Sequence, residues 1–287
     1  MAHRERRRAA RVHRRVSALA DLFRLDGQTA VVTGGLGRLG PIWARVLSQA
    51  GARVAVVDLA GLPVPGSFSD LPGDGPGAIS VLRADVTSRD SVDRMSAEVE
   101  ERIGRVDILV NNAGIDAPPD ATARTFTLAD HDAGDFLRTL EVNVLGAFVC
   151  SQVFGSRMAQ RGHGAIVNIG SLYASVSPDA RLYDHLPADP PFLKPPAYGA
   201  SKAALVNLTR YLATHWGPAG VRVNALSPGG VAGGQDPEFV RKFNERVPLG
   251  HMCAPEDLEG PLLFLASGAS SYVTGIDLRV DGGFTSW

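Results

Sequence analysis

A glycine-rich turn between two strand patterns constrains this chain more than any other feature. An apolar strand pattern covers residues 29–33, and the glycines Gly35, Gly37 and Gly40 follow it. A helical pattern then covers 42–50, and a second strand pattern covers 53–57. The second strand ends in Asp58. In this context a G-x-G-x-x-G turn lets the backbone approach a pyrophosphate, which then lies at the N-terminus of the helix. The sequence therefore predicts a dinucleotide-binding unit.

The acid after the second strand bears on which dinucleotide is bound. Asp58 is expected to accept hydrogen bonds from an adenosine ribose, and its charge would repel a 2′-phosphate. This favours NAD over NADP. Arg38 in the glycine turn is the argument for NADP, because a cation there is able to pair with a phosphate. We predict NAD, with NADP as the alternative.

Strand patterns alternate with helical patterns along the rest of the chain. Seven segments have the character of buried strands: 29–33, 53–57, 78–82, 106–110, 165–169, 221–226 and 276–280. Such alternation predicts an α/β fold with a parallel, doubly wound sheet and helices on both faces. The site is then expected beyond the carboxyl ends of the strands. We predict one Rossmann-type domain over residues 25–287.

Composition excludes several other classes of protein. The net charge of −1 over 287 residues gives no indication of a nucleic-acid partner. No apolar run approaches the roughly 20 residues of a membrane span, and two cysteines do not make a disulfide framework. We therefore predict a cytoplasmic protein without a metal site. Residues 1–24 carry eight arginines and are interpreted as a flexible extension, the alternative being a polyanion-binding arm or an organelle address.

A tyrosine and a lysine mark a candidate acid/base pair on the predicted helix 197–216. Tyr198 and Lys202 are four residues apart, so they lie on one face of that helix. A phenol has a pKa of about 10, and an adjacent ammonium favours the phenolate. The spacing alone is common on surface helices, so its interpretation depends on the residues elsewhere in the chain.

Small and polar residues follow the ends of other predicted strands. They are Asp85 and Val86, Asn111 to Gly114, Ser171, and Pro228 with Gly229. Asn143 lies within a predicted long helix, 135–161, where a buried amide requires a hydrogen-bond partner. The positions of this helix that we expect to face inward are Phe136, Leu140, Val144, Phe148 and Val149.

Together these motifs resemble the short-chain dehydrogenase/reductase family, of the single-domain kind, from about residue 25 to 287. The resemblance implies a sheet ordered 3-2-1-4-5-6-7, a homodimer or homotetramer, and a catalytic tetrad of Asn143, Ser171, Tyr198 and Lys202. The cofactor contacts that it implies are Gly34, Gly35, Gly37, Arg38, Leu39, Gly40, Asp58, Asp85, Val86, Asn112, Ala113, Gly114, Tyr198, Lys202, Pro228, Gly229 and Val231.

The resemblance also implies a role for each member of the tetrad. Tyr198 exchanges a proton with the substrate oxygen, and Ser171 hydrogen-bonds that oxygen. Lys202 lowers the pKa of Tyr198 and holds the nicotinamide ribose, while Asn143 supports a water that links the lysine to solvent.

Three features depart from the family pattern. Arg38 stands where the single-domain group usually has glycine, a spacing closer to the extended group that includes epimerases and dehydratases. Ser171 and Tyr198 are 27 positions apart, about twice the usual gap. Pro228-Gly229 is followed by Gly230-Val231, without the threonine that usually touches the carboxamide.

The extra residues, 174–196, are called the insertion below. The insertion begins and ends beside the serine and tyrosine of the tetrad, so we predict a wall or lid over the substrate. Its polar and charged residues indicate a sugar, polyol or sugar acid as substrate. Tyr183 and His185, together with Tyr173, are the expected substrate contacts. The alternative is a proline-stiffened surface loop or a subunit contact.

The sequence thus predicts an NAD-dependent oxidoreductase. It would transfer a hydride between nicotinamide and a secondary alcohol or ketone of a small polar substrate, as in the sugar- and sugar-acid-converting members of the family, gluconate 5-dehydrogenase-like enzymes among them. One alternative is an epimerase or dehydratase that holds NAD tightly and returns the hydride. Another is a nucleotide-binding relative without catalytic activity.

Overall fold

Seven parallel strands form one sheet in the order β3-β2-β1-β4-β5-β6-β7. The computed structural model describes residues 18–68, 75–116 and 125–287, so most of the basic extension lies outside the described residues. The strands are β1 (Thr29–Thr33), β2 (Arg53–Asp58), β3 (Ile79–Arg83), β4 (Val106–Asn111), β5 (Gly164–Ile169), β6 (Val221–Pro228) and β7 (Asp277–Val280). The predicted fold class and strand order are confirmed.

Helices cover both faces of this sheet. They are α1 (Gly40–Gln49), α2 (Arg89–Arg102), α3 (Ala133–Leu140), α4 (Ala147–Arg161), α5 (Pro196–Trp216), α6 (Pro237–Asn244) and α7 (Glu259–Ala266). Within the described ranges, none of these helices has the length and apolar character to cross a membrane.

The alternation of side chains along the strands divides the core into two layers. Val31 of β1 packs in a cluster with residues of α2, α4 and α5, whereas its neighbours Ala30 and Val32 pack with α1 and α7. Because both faces are covered, β1 is buried at all five positions. Burial on both faces explains why β1 has no alternation of polar and apolar residues in the sequence.

One turn of π-helix, Glu141–Gly146, joins α3 to α4. The sequence predicted a single regular helix with Phe148 facing inward, and this prediction is wrong, because Phe148 is 37% exposed. A π-turn inserts an extra residue into the helical repeat and rotates the residues that follow it. Val149, which was also expected to face inward, is buried, and so is Cys150 beside it.

The insertion packs against the body of the protein through a third apolar cluster. Leu182, Tyr183 and Phe192 are buried there together with Phe243 of α6 and Phe284 near the C-terminus. The segment also contains a short 3₁₀ turn, Ala180–Leu182. The insertion is therefore a packed part of the domain with a small core of its own.

Candidate active site

A cavity of about 1120 Å³ opens at the carboxyl ends of the strands. The residues of the sequence-based site that line it are Gly34, Gly37, Arg38, Leu39, Asp58, Asp85, Val86, Asn112, Ala113, Gly114, Ser171, Tyr173, Tyr183, His185, Tyr198, Lys202, Pro228, Gly229 and Val231. Three others do not line it: Gly35, Gly40 and Asn143. Parallel strands end at one edge of the sheet, which explains how residues so distant in sequence meet.

The glycine turn requires glycine for steric reasons. Gly34 has φ +60°, and a Cβ on it would lie 2.6 Å from Cα of Ala113. A Cβ on Gly40 would lie 2.2 Å from the carbonyl oxygen of Gly35. Helix α1 therefore begins at the cavity, where its N-cap residue Leu39 lines the wall. The N-terminus of a helix attracts anions, so this end of the cavity suits a negatively charged group.

The amide of Asn112 holds the glycine turn in place. Its Nδ2 donates to the carbonyl oxygens of Thr33 and Gly34, at 3.1 and 2.8 Å. Its Oδ1 accepts a hydrogen bond of 2.8 Å from the indole N–H of Trp43 in α1. Asn112 therefore joins the end of β4 to the turn and to the helix that follows it.

Two charged residues at this end of the cavity are oriented by backbone groups. The Asp58 carboxylate accepts hydrogen bonds of 2.9 Å from the N–H groups of Leu36 and Leu59. A carboxylate has about four acceptor sites, so it retains capacity for a ligand hydroxyl. Arg38 instead donates to the carbonyl oxygen of Val231 at 2.6 Å, so its guanidinium ties the glycine turn to the loop after β6.

Asn143 lies in the π-turn and is fully buried. Its Oδ1 accepts from the N–H of Ile115 at 2.8 Å, and its Nδ2 donates to the Ile115 carbonyl at 3.0 Å and to Ser201 Oγ at 2.9 Å. Ser201 in turn donates to the Tyr198 carbonyl at 2.7 Å. These bonds explain the buried amide and connect the segment after β4 to α5. The water-supporting role of Asn143 stays a prediction.

Lys202 is a buried cation beside the tyrosine. Its Nζ donates to the Ile169 carbonyl at 2.8 Å and lies 5.7 Å from the ring centroid of Tyr198. Burial lowers the pKa of Lys202 from 10.5 to about 8, and the nearby charge of Asp116 opposes this.

The pKa of Tyr198 is raised, which is opposite to the lowering that the resemblance implied. Burial is the largest cause, and the negative charge of Asp116 acts in the same direction. A hydrogen bond with Ser171 opposes the shift. The physical reason is desolvation, because a buried phenolate loses the hydration that stabilises its charge. Tyr198 is accordingly a phenol at neutral pH in this site.

The insertion supplies one wall of the cavity. Tyr173, just before it, meets the Tyr198 ring edge-on with centroids 6.5 Å apart. Tyr183 is only 4% exposed and stacks on Phe239 of α6. Both predicted substrate contacts, Tyr173 and Tyr183, thus lie on the wall of the cavity, and most of the Tyr183 side chain is buried within that wall.

His185, the third predicted substrate contact, also lies on this wall and joins the insertion to α6. Its Nε2 is 2.8 Å from Asp236 Oδ1, and its Nδ1 is 3.3 Å from Lys242 Nζ. No group of residues suited to binding a metal ion occurs in the described part of the chain.

Sequence reasoning missed an ion pair next to the tyrosine. Lys194 of the insertion donates to both carboxylate oxygens of Asp116, at 2.7 and 2.9 Å. Its Nζ lies 5.2 Å from the ring centroid of Tyr198. In the sequence, Lys194 is only one of several charged residues in the insertion. It precedes α5, so helical spacing gave no sign that it approaches Tyr198.

The chain is similar in sequence to known proteins. A family model described as enoyl-(acyl carrier protein) reductase matches residues 39–285. Galactitol 2-dehydrogenase (L-tagatose-forming) of Cereibacter sphaeroides is 37% identical, over 93% of this chain and 98% of that protein. D-threitol dehydrogenase of Mycolicibacterium smegmatis is 35% identical, over 92% of this chain and 95% of that protein.

A solved structure agrees with these relatives. Gluconate 5-dehydrogenase of Burkholderia cenocepacia, in complex with NADP and tartrate, has 32% identity and a TM-score of 0.79, and the match covers 94% of this chain and all of that one. Together the matches confirm the resemblance drawn from the motifs. The chain therefore belongs to the short-chain dehydrogenase/reductase family and is an NAD(P)-dependent oxidoreductase.

Proposed function

We propose that this protein is an NAD-dependent dehydrogenase that interconverts a secondary alcohol of a small polyol and the corresponding ketone. The observation that carries this proposal is the cavity that Tyr198 shares with Ser171, Lys202 and Asp58, with Lys202 Nζ 5.7 Å from the centroid of the Tyr198 ring. A single dinucleotide reaching from the glycine turn to the tyrosine would use both ends.

The residues of the cavity fit such a cofactor. The N-terminus of α1 suits its diphosphate, and Asp58 suits the hydroxyls of its adenosine ribose. Leu62 and Val64 beside Asp58 line the cavity and expose apolar surface on which an adenine ring can pack. Lys202, which also lines the cavity, is positioned to bind the nicotinamide ribose.

The chemistry follows from the side chains at the other end. When bound, the nicotinamide supplies the acceptor for the hydride that leaves the carbinol carbon. In this direction the deprotonated form of Tyr198 takes the hydroxyl proton, and the C=O bond forms from the O–H electron pair. Because the pKa of Tyr198 is raised, this form becomes more populated as the pH rises. Ser171 hydrogen-bonds the same oxygen and stabilises the charge that develops on it. In the reverse direction the phenol of Tyr198 donates this proton, which suits its raised pKa.

The substrate class rests on two observations. The two relatives are named for activity on galactitol and on D-threitol, both polyols. The wall formed by the insertion presents polar groups, among them His185 and Lys194, to the same cavity as Tyr198. A hydroxyl-rich substrate is able to hydrogen-bond to the carboxylates paired with these bases, whereas a steroid-like substrate would cover the carboxylates without offering a hydrogen bond.

We also propose a homo-oligomeric, cytoplasmic protein. Leu137, Leu145 and Phe148 on the helices around the π-turn, and Tyr211 on α5, are exposed apolar or aromatic side chains that a second copy would cover. Cys150 and Cys253 are free thiols in the described chain, as is usual in a reducing compartment.

The proposal is tested by cofactor titration followed by a polyol panel. We expect NAD⁺ to bind more tightly than NADP⁺, and at least one of galactitol, D-threitol and glycerol to produce NADH. A simple monohydroxy alcohol, 2-butanol, serves as the matched control for the requirement for several hydroxyls. Tight NAD⁺ without turnover of any alcohol would contradict the dehydrogenase and favour an enzyme that returns its hydride. Absence of nucleotide binding would contradict the whole proposal.

Asp58→Asn is expected to change cofactor preference. The substitution keeps the side-chain shape but removes the negative charge and part of its acceptor capacity. We expect kcat/KM for NAD⁺ to fall by about 10- to 100-fold, as for loss of a charged hydrogen bond, and kcat/KM for NADP⁺ to rise. Steady-state kinetics with both cofactors measure this. A parallel loss for both would contradict ribose recognition by Asp58 and indicate a disturbed glycine turn.

A further inference from the structure

In the ion pair between Lys194 and Asp116, the carboxylate is more exposed than the ammonium. The Lys194 side chain is 5% exposed, whereas that of Asp116 is 35% exposed. Both residues line the cavity. The ammonium is therefore covered, and the carboxylate is the accessible partner.

This carboxylate lies near the reacting end of the cavity. Asp116 follows Gly114 by two residues, at the end of β4, and Lys194 holds it from the insertion side. Lys194 Nζ is 5.2 Å from the Tyr198 ring centroid and 5.8 Å from that of Tyr173. The charge of Asp116 raises the pKa of both Tyr198 and Lys202, as expected for a neighbouring anion.

A second pair, His185 with Asp236, repeats the pattern on the wall formed by the insertion. His185 is 18% exposed and its partner Asp236 is 49% exposed, and both line the cavity. Accessible carboxylates accept hydrogen bonds from hydroxyl groups, whereas they repel a carboxylate on the substrate. The covered bases position these acids without offering an anion-binding site.

We infer that Asp116, positioned by Lys194, accepts a hydrogen bond from a hydroxyl near the reacting carbinol and makes the site select neutral polyols over sugar acids. This inference rests on the proposed function and deepens it, because it assigns selectivity between two substrate classes to one ion pair. Lys194 is a positioning residue, and Asp116 is the group that touches the substrate.

Asp116→Asn tests the inference, with galactitol and gluconate as the probes. The amide keeps a hydrogen-bonding oxygen but loses the charge, and it leaves the Lys194 ammonium without its counter-ion. We expect kcat/KM for galactitol to fall by roughly 10- to 100-fold, mostly through KM, and kcat/KM for gluconate to rise. The ratio of kcat/KM for galactitol to kcat/KM for gluconate is therefore expected to fall.

Lys194→Met supplies the opposite change. Asp116 then keeps its charge without its positioning partner, so galactitol turnover falls while gluconate is rejected more strongly than by the wild type. The arginine variant Lys194→Arg is expected to restore most of the galactitol activity, because it retains a cation for Asp116. This rescue would not follow if the lysine acted only through its volume.

Asp184→Asn is the matched control. Asp184 also belongs to the insertion, is paired with a lysine, Lys242, and is 62% exposed, but it does not line the cavity. We expect the ratio of kcat/KM for galactitol to kcat/KM for gluconate in this variant to equal that of the wild type. An unchanged ratio in Asp116→Asn, or a wild type that prefers gluconate to galactitol, would overturn the inference.

Calorimetric titration of NADH-saturated protein separates this test from the proposed function, because a reduced cofactor cannot accept a hydride from an alcohol. It reports galactitol and gluconate binding without turnover. If the wild type binds galactitol but produces no NADH when supplied with NAD⁺, the dehydrogenase proposal fails, and weaker galactitol binding by Asp116→Asn still supports the selectivity of the ion pair. Equal galactitol affinity in the two proteins would overturn that selectivity.

Discussion

Tyr198→Phe is expected to lower kcat for polyol oxidation by about 10³-fold and to leave the dissociation constant of NAD⁺ unchanged. The substitution removes the oxygen that exchanges a proton with the substrate, and such proton transfer typically contributes about 10²- to 10⁴-fold to the rate. The ring and its contacts with Tyr173 and Lys202 remain possible, since only the hydroxyl is lost. NADH formation and nucleotide titration measure the two quantities separately.

Tyr211→Phe on the same helix is the control for this experiment. Tyr211 is 64% exposed on α5 and lies outside the cavity. We expect wild-type kinetics from this variant. A Tyr198→Phe enzyme with more than a tenth of wild-type kcat would show that another group handles the proton.

Lys202→Met is expected to abolish most activity and yet to stabilise the fold at neutral pH. Burial lowers the pKa of Lys202 from 10.5 to about 8, which corresponds to roughly 3 kcal/mol of unfavourable free energy for the charged form. Losing the hydrogen bond to the Ile169 carbonyl offsets part of the gain, by about 1–2 kcal/mol. We expect a net gain of about 1–2 kcal/mol, or roughly 2–6 °C in Tm.

The stabilisation should depend on pH in a defined direction. Below about pH 8 the lysine is charged in both folded and unfolded chains, so the wild type bears the full burial penalty. Between pH 8 and 10.5 the unfolded chain binds more protons, so wild-type stability from this group rises with pH. The advantage of the variant is therefore largest below pH 8 and is lost by about pH 10.5.

Thermal unfolding of both proteins from pH 6 to 10.5 measures this difference. Lys242→Met is the control, because Lys242 is a partly exposed lysine paired with Asp184, and such pairs contribute little to stability. A Lys202→Met variant that is less stable than the wild type by the same amount at every pH would contradict the buried-charge argument.

The fold was predictable because its signals are local and repeated. The five central strands, β1, β2, β4, β5 and β6, are largely apolar and mostly buried. The glycine turn at Gly34 to Gly40 stands between a strand and a helix in a context that few other structures share. The cavity residues followed from the same logic, since parallel strands end at one edge. The tetrad came from resemblance, and the structure brings Ser171, Tyr198 and Lys202 to the same cavity.

What could not be predicted depends on interactions that no local pattern encodes. The outward turn of Phe148 follows from one π-turn, which a regular repeat of 3.6 residues does not contain. The raised pKa of Tyr198 follows from the degree of burial, which becomes known only when the cavity is seen. The pairing of Lys194 with Asp116 joins segments 78 residues apart, both of them outside helices and strands.

The separate apolar cluster beneath the insertion has an evolutionary consequence. Leu182 and Phe192 pack with α6 and the C-terminal segment, whereas the strands pack in two other clusters. Mutations in the substrate wall are thus insulated from the layers that hold the glycine turn. Gene duplicates of this enzyme can diverge in the alcohols they accept while inheriting an unchanged nucleotide-binding half.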